Sequence, residues 1–402
     1  MMKEQVKLAL HGGKQSVTLK IPPRKAFSSL EQLAIQDVVA YYNHLDIDPG
    51  YGGKFERDFC NEFSDFMGGG YTTAVATGTG SIFVALAALQ LPKGSEVVMT
   101  PITDPGALNA VTLQGFKVSL ADSKPGSTQS NWQQIEKAIT EKTRAIVVVH
   151  LGGYGTDIDT IVREAHNRNI MVIEDCSQAT GALYKNQKIG TFSDIAAFST
   201  MSRKSLMSGG SGGLVYTQSK LLHQMVTAHA DRGKPKWQED FEERNASQYL
   251  FPALNWNTDE ISCAIGSASL ARLPSTIKNR NQFVNRLIAL LANSKLFSVD
   301  EISGVGSPFF LTVYLDLSLL NCEKDEFCNA LIAEGIPLNP HYNFVVSEWQ
   351  WAEEHLTSNK KTPNAVDARN RSFNIYVNEK YTYDLAEQFA VAMNKVATYY
   401  LK

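Results

Sequence analysis

The chain has 402 residues, 44% apolar and 20% charged, with a formal net charge of -3 at pH 7. That is enough for two domains, or one large and one smaller, and the charge gives nucleic acid or an acidic membrane surface no electrostatic hold, so neither is expected as a partner. No run approaches the roughly 20 apolar residues of a membrane span, the polar N-terminus MMKEQVKLALHGGK lacks a secretory signal pattern, and the scattered cysteines without a C-x-x-C pair predict free thiols, no metal site and a cytoplasmic location.

In chain order, DPGYGGKFE (48–56) is a glycine-rich turn. Tyr51 and Lys54 in it could line a substrate entrance, and turn propensity explains them equally well. ATGTGS (76–81) opens the helical SIFVALAALQL (81–91), and SEVVMTP (95–101) reads as a buried strand. ALNAVTLQG (107–115) predicts a helix and KVSLAD (117–122) a strand. NWQQIEKAITEK (131–142), with Ile135 and Ile139 four apart, predicts a helix leading into the strand RAIVVVHL. IDTIVREAHNRN leads likewise into IMVIED, and IAAF (195–198) is a further strand. Helices interleaved with apolar strands predict an α/β fold with a mostly parallel sheet covered on both faces. From about Asn255 the texture changes to a long helical stretch, the strand FFLTVYLDL, the helix KDEFCNALIAEG and a helical C-terminus. The expected division is an N-terminal arm and large domain over 1–250 and a smaller α+β domain over 251–402.

Ligands of such sheets gather at the carboxyl ends of the strands. Three strand ends carry chemistry. ATGTGS leaves backbone N–H groups at a helix N-terminus, an anion site, although Thr-Gly also serves as a cap. It is neither a phosphate loop of the G-x-x-x-x-G-K type nor G-x-G-x-x-G, which removes the case for a nicotinamide dehydrogenase. After IMVI, Asp175 could cap a helix or stay ionised beside a cationic ligand group. After IAAF, the stretch FSTMSRKSLMSGGSGG (198–213) sets Lys204 among small residues, with glycines that would let the chain approach a bulky ligand. A phosphate nest, a carboxylate and a lysine together fit pyridoxal phosphate, whose aldehyde takes a lysine amine, whose ring nitrogen takes a carboxylate and whose phosphate takes backbone donors. Lys204 is then also the candidate base for proton movement.

These residues resemble the DegT/DnrJ/EryC1/StrS family of sugar aminotransferases over nearly the whole chain. EDCSQATGA (174–182), FSTMSRKSLMSGGSGG, TGTGSIFVAL and NWNTDEISCAIG (255–266) stand where that family has its motifs. The resemblance implies a pyridoxal-phosphate transferase of fold type I, with a large domain holding a seven-stranded-type sheet. It implies Asp175 at the pyridine nitrogen, Gln178 against the ring, Ser199, Gly78 and Thr79 at the phosphate, and Lys204 as the Schiff-base lysine. It also implies that Asn255 reaches the phosphate of a neighbouring subunit, hence a homodimer with shared active sites. Arg232 and Lys234 in ADRGKPKW are candidates for the nucleotide diphosphate or the donor carboxylate, and His341 and Tyr342 in LNPHYN for substrate contact. Four positions depart from the family pattern: Thr180 for His, Asn257 for Arg, Gly210-Ser211 for Glu, and Asp104-Pro105 where an aromatic side chain stacks on the ring. The expected activity is transfer of an amino group from glutamate or glutamine to a nucleotide-linked ketosugar, for a surface polysaccharide or a secondary metabolite. The alternative on the same cofactor is sugar dehydration, in which related enzymes replace the lysine with histidine. A regulator would need a fused DNA-binding domain, for which there is no room before Tyr71.

Overall fold

The strands between residues 71 and 217 are buried along most of their length, which demands cover on both faces. The computed structural model describes residues 7–358 and 361–402, so the first six residues of the polar N-terminal segment lie outside the described residues. Helices α1 (Ser29–Leu45) and α2 (Lys54–Met67) come first. The chain then alternates through β1 (Tyr71–Val75), α3 (Gly78–Ala88), β2 (Glu96–Met99), α4 (Pro105–Thr112), β3 (Lys117–Leu120) and α5 (Trp132–Ala138). It continues through β4 (Thr143–Val149), α6 (Ile158–His166), β5 (Met171–Asp175), the short ribbon β6 (Leu183–Tyr184) and β7 (Gln187–Lys188), β8 (Ile195–Ser199), β9 (Gly213–Thr217) and α7 (Lys220–Ala230). The resulting 7-stranded sheet runs β1-β9-β8-β5-β4-β2-β3, with β9 antiparallel to both neighbours and the other pairings parallel.

Strand alternation divides the interior into two layers. Ile146 and Val148 of β4 face a core with Phe59 and Phe63 of α2, Ile135 of α5 and Ile161 of α6. Ala145 and Val147 face the opposite core with Val84, Leu108 and Val226 of α3, α4 and α7. Helix α5 ends at Ala138, short of the predicted Lys142, because Thr143 Oγ1 accepts from Thr140 N at 2.9 Å and Ile139 turns extended.

Helix α8 (Glu260–Leu291) links this unit to the rest. Its first half, with Leu270 and Leu273, packs in the α2 core, and its second half, with Phe283 and Leu287, packs in a separate core. That second core belongs to β10 (Phe297–Ser298), β12 (Phe310–Leu315), α9 (Lys324–Ala333), β13 (Leu338–Asn339), β14 (Ser372–Tyr376) and α11 (Tyr383–Tyr400), with a 4-stranded antiparallel sheet ordered β10-β12-β14-β13, while α10 (Pro363–Asn370) packs Ala365 in a small cluster with Ile102 and Leu151. The strand β11 (Gly304–Val305) leaves the second core to pair with β6. Leu8 and Val17 of the N-terminal arm also bury in the second core, because Glu334 accepts from the Ala9 and Ser16 amides at 2.8 and 2.9 Å.

Gly266 shows how tightly α8 seats. A Cβ there would stand 2.5–2.8 Å from three ring carbons of buried Phe59. Gly266→Ala gains about 1 kcal/mol of helix propensity but overpacks this contact at a cost of about 1–3 kcal/mol. The urea midpoint is therefore expected to fall at unchanged slope; a rise would show that Phe59 yields freely.

Candidate active site

The carboxyl ends of β4, β5 and β8 meet the start of α3 around a cavity of about 580 Å³. It brings together Gly78, Thr79, Asp175, Gln178, Ser199, Lys204 and Tyr342 from the sequence-predicted set. Thr77 caps α3 by accepting from Gly80 N at 2.8 Å. The amides of Gly78 and Thr79 find no acceptor among the described residues, so cap and anion site coexist in one turn. Gly78 is required by packing: a Cβ would stand 2.5 Å from Ser199 Cβ and 2.7 Å from its Oγ. The missing side chain lets the end of β8 bring the Ser199 hydroxyl against those two amides.

Asp175 is 4% exposed and accepts from Ser177 N at 3.0 Å. Burial pushes its carboxyl above the usual range, opposed by Ser177 and by the charge of Lys204. A cation at this place relieves that cost. The preceding Glu174, to which sequence reading gave no role, points into the opposite face with no exposed surface. It accepts from the amides of Gly190, Phe192 and Ser193 and from Ser193 Oγ, and it pairs with His150 Nε2 at 3.0 Å. Burial alone would raise its pKa; the histidine and these donors hold it low instead. Glu174 thus pins the crossover between β5 and β8. Its carboxylate lies beside His150 and Cys176 in a cluster of possible metal ligands, but its oxygens are already saturated by these donors.

Lys204 follows β8 in a tight loop, with its N–H on Met201 O at 2.8 Å. Its Nζ stands 4.7 Å from the Phe309 ring centroid. Burial pulls the ammonium pKa down, opposed by Asp175 and Asp104, which favours the neutral, nucleophilic amine. The following glycines were expected to make room for a ligand; two of them make room for the chain itself. A Cβ on Gly213 would stand 2.4 Å from Thr77 O, and one on Gly212 2.1 Å from Ser208 Oγ, so this loop lies flat against the α3 cap. Ser211 donates to Ala76 O at 2.8 Å and lines the cavity.

Gln178 is fixed by accepting from Gly152 N at 2.7 Å, and its amide reaches Tyr342 Oη at 3.5 Å. Asp104 also lines the cavity and caps α4 by accepting from Gly106 N at 2.8 Å, with Pro105 at the first helical position. The aromatic walls come from the second unit as Phe309, Tyr342 and Phe344. No local sequence signal marks Phe309, since FFLTVYL reads only as a strand.

The other predicted residues lie outside this lining. Tyr51 is 56% exposed. His341 is exposed, 3.7 Å from Asp325. Lys234 is buried in an ion cluster with Asp231 and Glu243, at 3.3 and 2.9 Å, while Arg232 lies 3.1 Å from Asp231. Asn255 is exposed, and Asn257, standing where the resemblance implies arginine, donates to its Oδ1 through both backbone N and Nδ2 at 3.0 and 2.8 Å. The Asn255 Nδ2 is left without a partner among the described residues. Next to it, Trp256 packs over Gly80, where a Cβ would meet the indole at 2.7 Å.

The donor set fits pyridoxal phosphate. Unpaired α3 amides beside the Ser199 hydroxyl suit its phosphate, a buried carboxylate with a raised pKa suits its ring nitrogen, and an amine biased to neutrality suits its aldehyde.

Residues 35–394 match the model of the DegT/DnrJ/EryC1/StrS aminotransferase family. A GDP-perosamine synthase of Escherichia coli O157:H7 is 29% identical over 80% of this chain and 85% of its own. A dTDP-3-amino-3,6-dideoxy-alpha-D-galactopyranose transaminase of Aneurinibacillus thermoaerophilus is 28% identical over 74% of this chain and 80% of its own. The solved aminotransferase from Psychrobacter cryohalolentis superposes with a TM-score of 0.85 at 26% identity, covering 93% of this chain and 98% of that one.

Because the folded pKa of Asp175 is raised, the stability it contributes is full below the ordinary carboxylate range and is lost as pH rises through the folded value. Asp175→Asn removes that penalty at neutral pH. Lys204, whose ammonium burial already disfavours, then sheds its proton rather than stay unpaired, so the coenzyme-free variant is expected to gain on the order of 1 kcal/mol in chemical denaturation while binding pyridoxal phosphate more weakly in fluorescence titration. A less stable coenzyme-free variant would contradict this.

Proposed function

The chain belongs to the DegT/DnrJ/EryC1/StrS aminotransferase family and is a pyridoxal-phosphate-dependent sugar aminotransferase, and we propose that it moves the amino group of glutamate or glutamine onto a nucleotide-linked ketosugar. The observation that carries this reading is Lys204, a half-buried amine sharing one cavity with Asp175 and the unpaired amides of α3. The relatives' names supply the sugar class, GDP-linked in one and dTDP-linked in the other.

When bound, pyridoxal phosphate supplies a cationic ring that withdraws electrons from the carbon losing its proton. The Gly78 and Thr79 amides and Ser199 Oγ hold its phosphate, with the α3 dipole favouring the anion. Asp175 keeps a proton on the ring nitrogen, and Gln178, fixed by Gly152 N, orients the ring face. Lys204 Nζ would hold the coenzyme aldehyde and, once displaced from it by the amine of the donor, would be placed to move a proton between the reacting carbons, a role that needs the amine to lose its charge near neutral pH. Histidine at this position would fit dehydration; lysine fits transfer.

A homodimer with shared sites belongs to the same proposal. Phe27, Leu30, Leu33 and Val39 are each about half exposed around α1 (54%, 46%, 53% and 50%), an apolar surface of the kind a second copy covers. Asn255, held by Asn257 with Nδ2 free, is a donor suited to the partner's phosphate. No described helix is long and apolar enough to cross a membrane, and with five unpaired cysteines a cytoplasmic site of action fits best.

Purified protein with pyridoxal phosphate should show a band near roughly 410–430 nm that Lys204→Ala lacks, and an amino donor with a nucleotide ketosugar should release the 2-oxo acid of the donor. A colourless wild-type protein contradicts the reading. For the shared site, Lys204→Ala and Asn255→Ala are each expected to be inactive or weak, and mixing them should restore activity through hybrid dimers. Monomers by sedimentation, with no complementation, would contradict it.

A further inference from the structure

Arg280, in α8, has no exposed surface. A guanidinium taken out of water needs its donors used and a counter-charge nearby, or it costs several kcal/mol. Its Nη1 donates to Ser205 Oγ and to Pro308 O, both at 3.0 Å, and its Nη2 and Nε donate to Glu379 Oε2 at 2.9 and 3.3 Å. Glu379 also faces Arg24 Nε at 3.7 Å, a coulombic contact that balances a buried N–H lacking a hydrogen-bond partner among the described residues. Arg24 in turn donates to the carbonyls of Ser202 and Lys204, the latter at 2.5 Å. Ser307 Oγ donates to Ser205 Oγ at 3.1 Å.

These contacts converge on one place. Arg24 holds the backbone carbonyls of residues 202 and 204, and Arg280 holds the side-chain hydroxyl of Ser205, the residue after Lys204. The same Arg280 holds Pro308, the neighbour of Phe309, whose ring stands 4.7 Å from Lys204 Nζ. Glu379 joins the two guanidiniums and follows the cavity-lining Val377 and Asn378 directly. Asn378 Nδ2 donates to Pro22 O at 3.0 Å, tying the arm that carries Arg24 to the same wall. Five segments distant in sequence thus share one carboxylate and two guanidiniums.

We infer that Arg24, Glu379 and Arg280 are positioning residues that fix the Lys204 peptide and the Phe309 wall relative to each other and so aim the Lys204 amine. The inference rests on Lys204 as the coenzyme lysine. A tie serving the fold alone could be built from apolar contacts at no desolvation cost; charged forks acting on carbonyls impose direction, because two N–H groups in one plane meet two acceptors at fixed angles.

The test uses the full chain loaded with pyridoxal phosphate. Arg24→Met keeps the length of the stem and removes the fork. It is expected to lower kcat about 10- to 100-fold with KM for the sugar within about threefold. It should also weaken the circular dichroism of the visible band relative to its absorbance, since the bound ring loses its fixed orientation. Arg24→Lys, with one compact ammonium, should recover only part of either signal. Glu379→Gln, of the same shape, serves as the second variant if Arg24→Met does not fold, and the pair combined should lose little beyond the worse single variant. An unchanged dichroism-to-absorbance ratio with unchanged kcat overturns the inference, as does full additivity. Absence of any band in wild-type protein would instead overturn the reading of Lys204, so the two failures are seen in different samples.

Discussion

Asp175 and Lys204 are opposite charges at the carboxyl ends of the adjacent parallel strands β5 and β8, each disfavoured by burial and each partly relieved by the other. In water such a pair would be worth little; in the interior its charges are both costly and responsive to any ligand that replaces one partner. The carboxyl would gain by meeting a cationic ring nitrogen, and the amine, relieved by giving up its proton, would become a nucleophile. Binding energy for the coenzyme is therefore stored in the unliganded fold as incomplete neutralisation.

The scaffold keeps that pair from relaxing. Glu174, one residue before Asp175, uses its carboxylate on three amides, a hydroxyl and His150, which locks the β5–β8 crossover. On the other side, Gly213 lets the chain after Lys204 press against Thr77 O of the α3 cap, Gly212 lets its loop close on Ser208, and Gly78 lets Ser199 pack against the start of α3. Arg24 and Arg280 then hold the carbonyls and hydroxyl around the lysine from the second unit. Rigid support of this kind is what lets a flexible four-carbon side chain act at a defined point.

Local signals in the sequence carried much of this. Near-continuous apolar runs interleaved with helices disclosed the parallel sheet, and strand ends pointed to Asp175, Lys204 and the α3 amides, because ligand chemistry sits where strands stop. The fold class and family followed from the same segments. What local pattern could not reach is contact between distant segments. Phe309 stands over a lysine 105 residues earlier, and nothing in its own neighbourhood distinguishes it from a core strand residue. Glu174 drew no role from the sequence because its partners come from the loop before β8 and from His150 at the end of β4. The glycines after Lys204 were read toward a ligand, whereas Gly212 and Gly213 answer to Ser208 Oγ and Thr77 O. Lys234 was a candidate for the nucleotide diphosphate or the donor carboxylate, yet Asp231 and Glu243 take its ammonium. Periodicity shows which face is buried; it does not show what a side chain meets there.

Two of the departures from the family pattern, at Asp104 and Ser211, line the cavity. Asp104 places a carboxylate and a helix cap where an aromatic ring is expected, while Phe309, Tyr342 and Phe344 supply aromatic surface from the other unit. Ser211 spends its hydroxyl on Ala76 O at the rim. These changes leave the amine, the carboxylate and the anion site in place and alter what surrounds them. The central claim is that Lys204 is the point of covalent attachment, and borohydride reduction of the coenzyme-loaded protein followed by peptide mapping tests it most directly. The account predicts a reduced pyridoxyl adduct on the peptide containing Lys204 and on no other lysine at stoichiometric yield; a stoichiometric adduct elsewhere, at Lys234 for example, would contradict it.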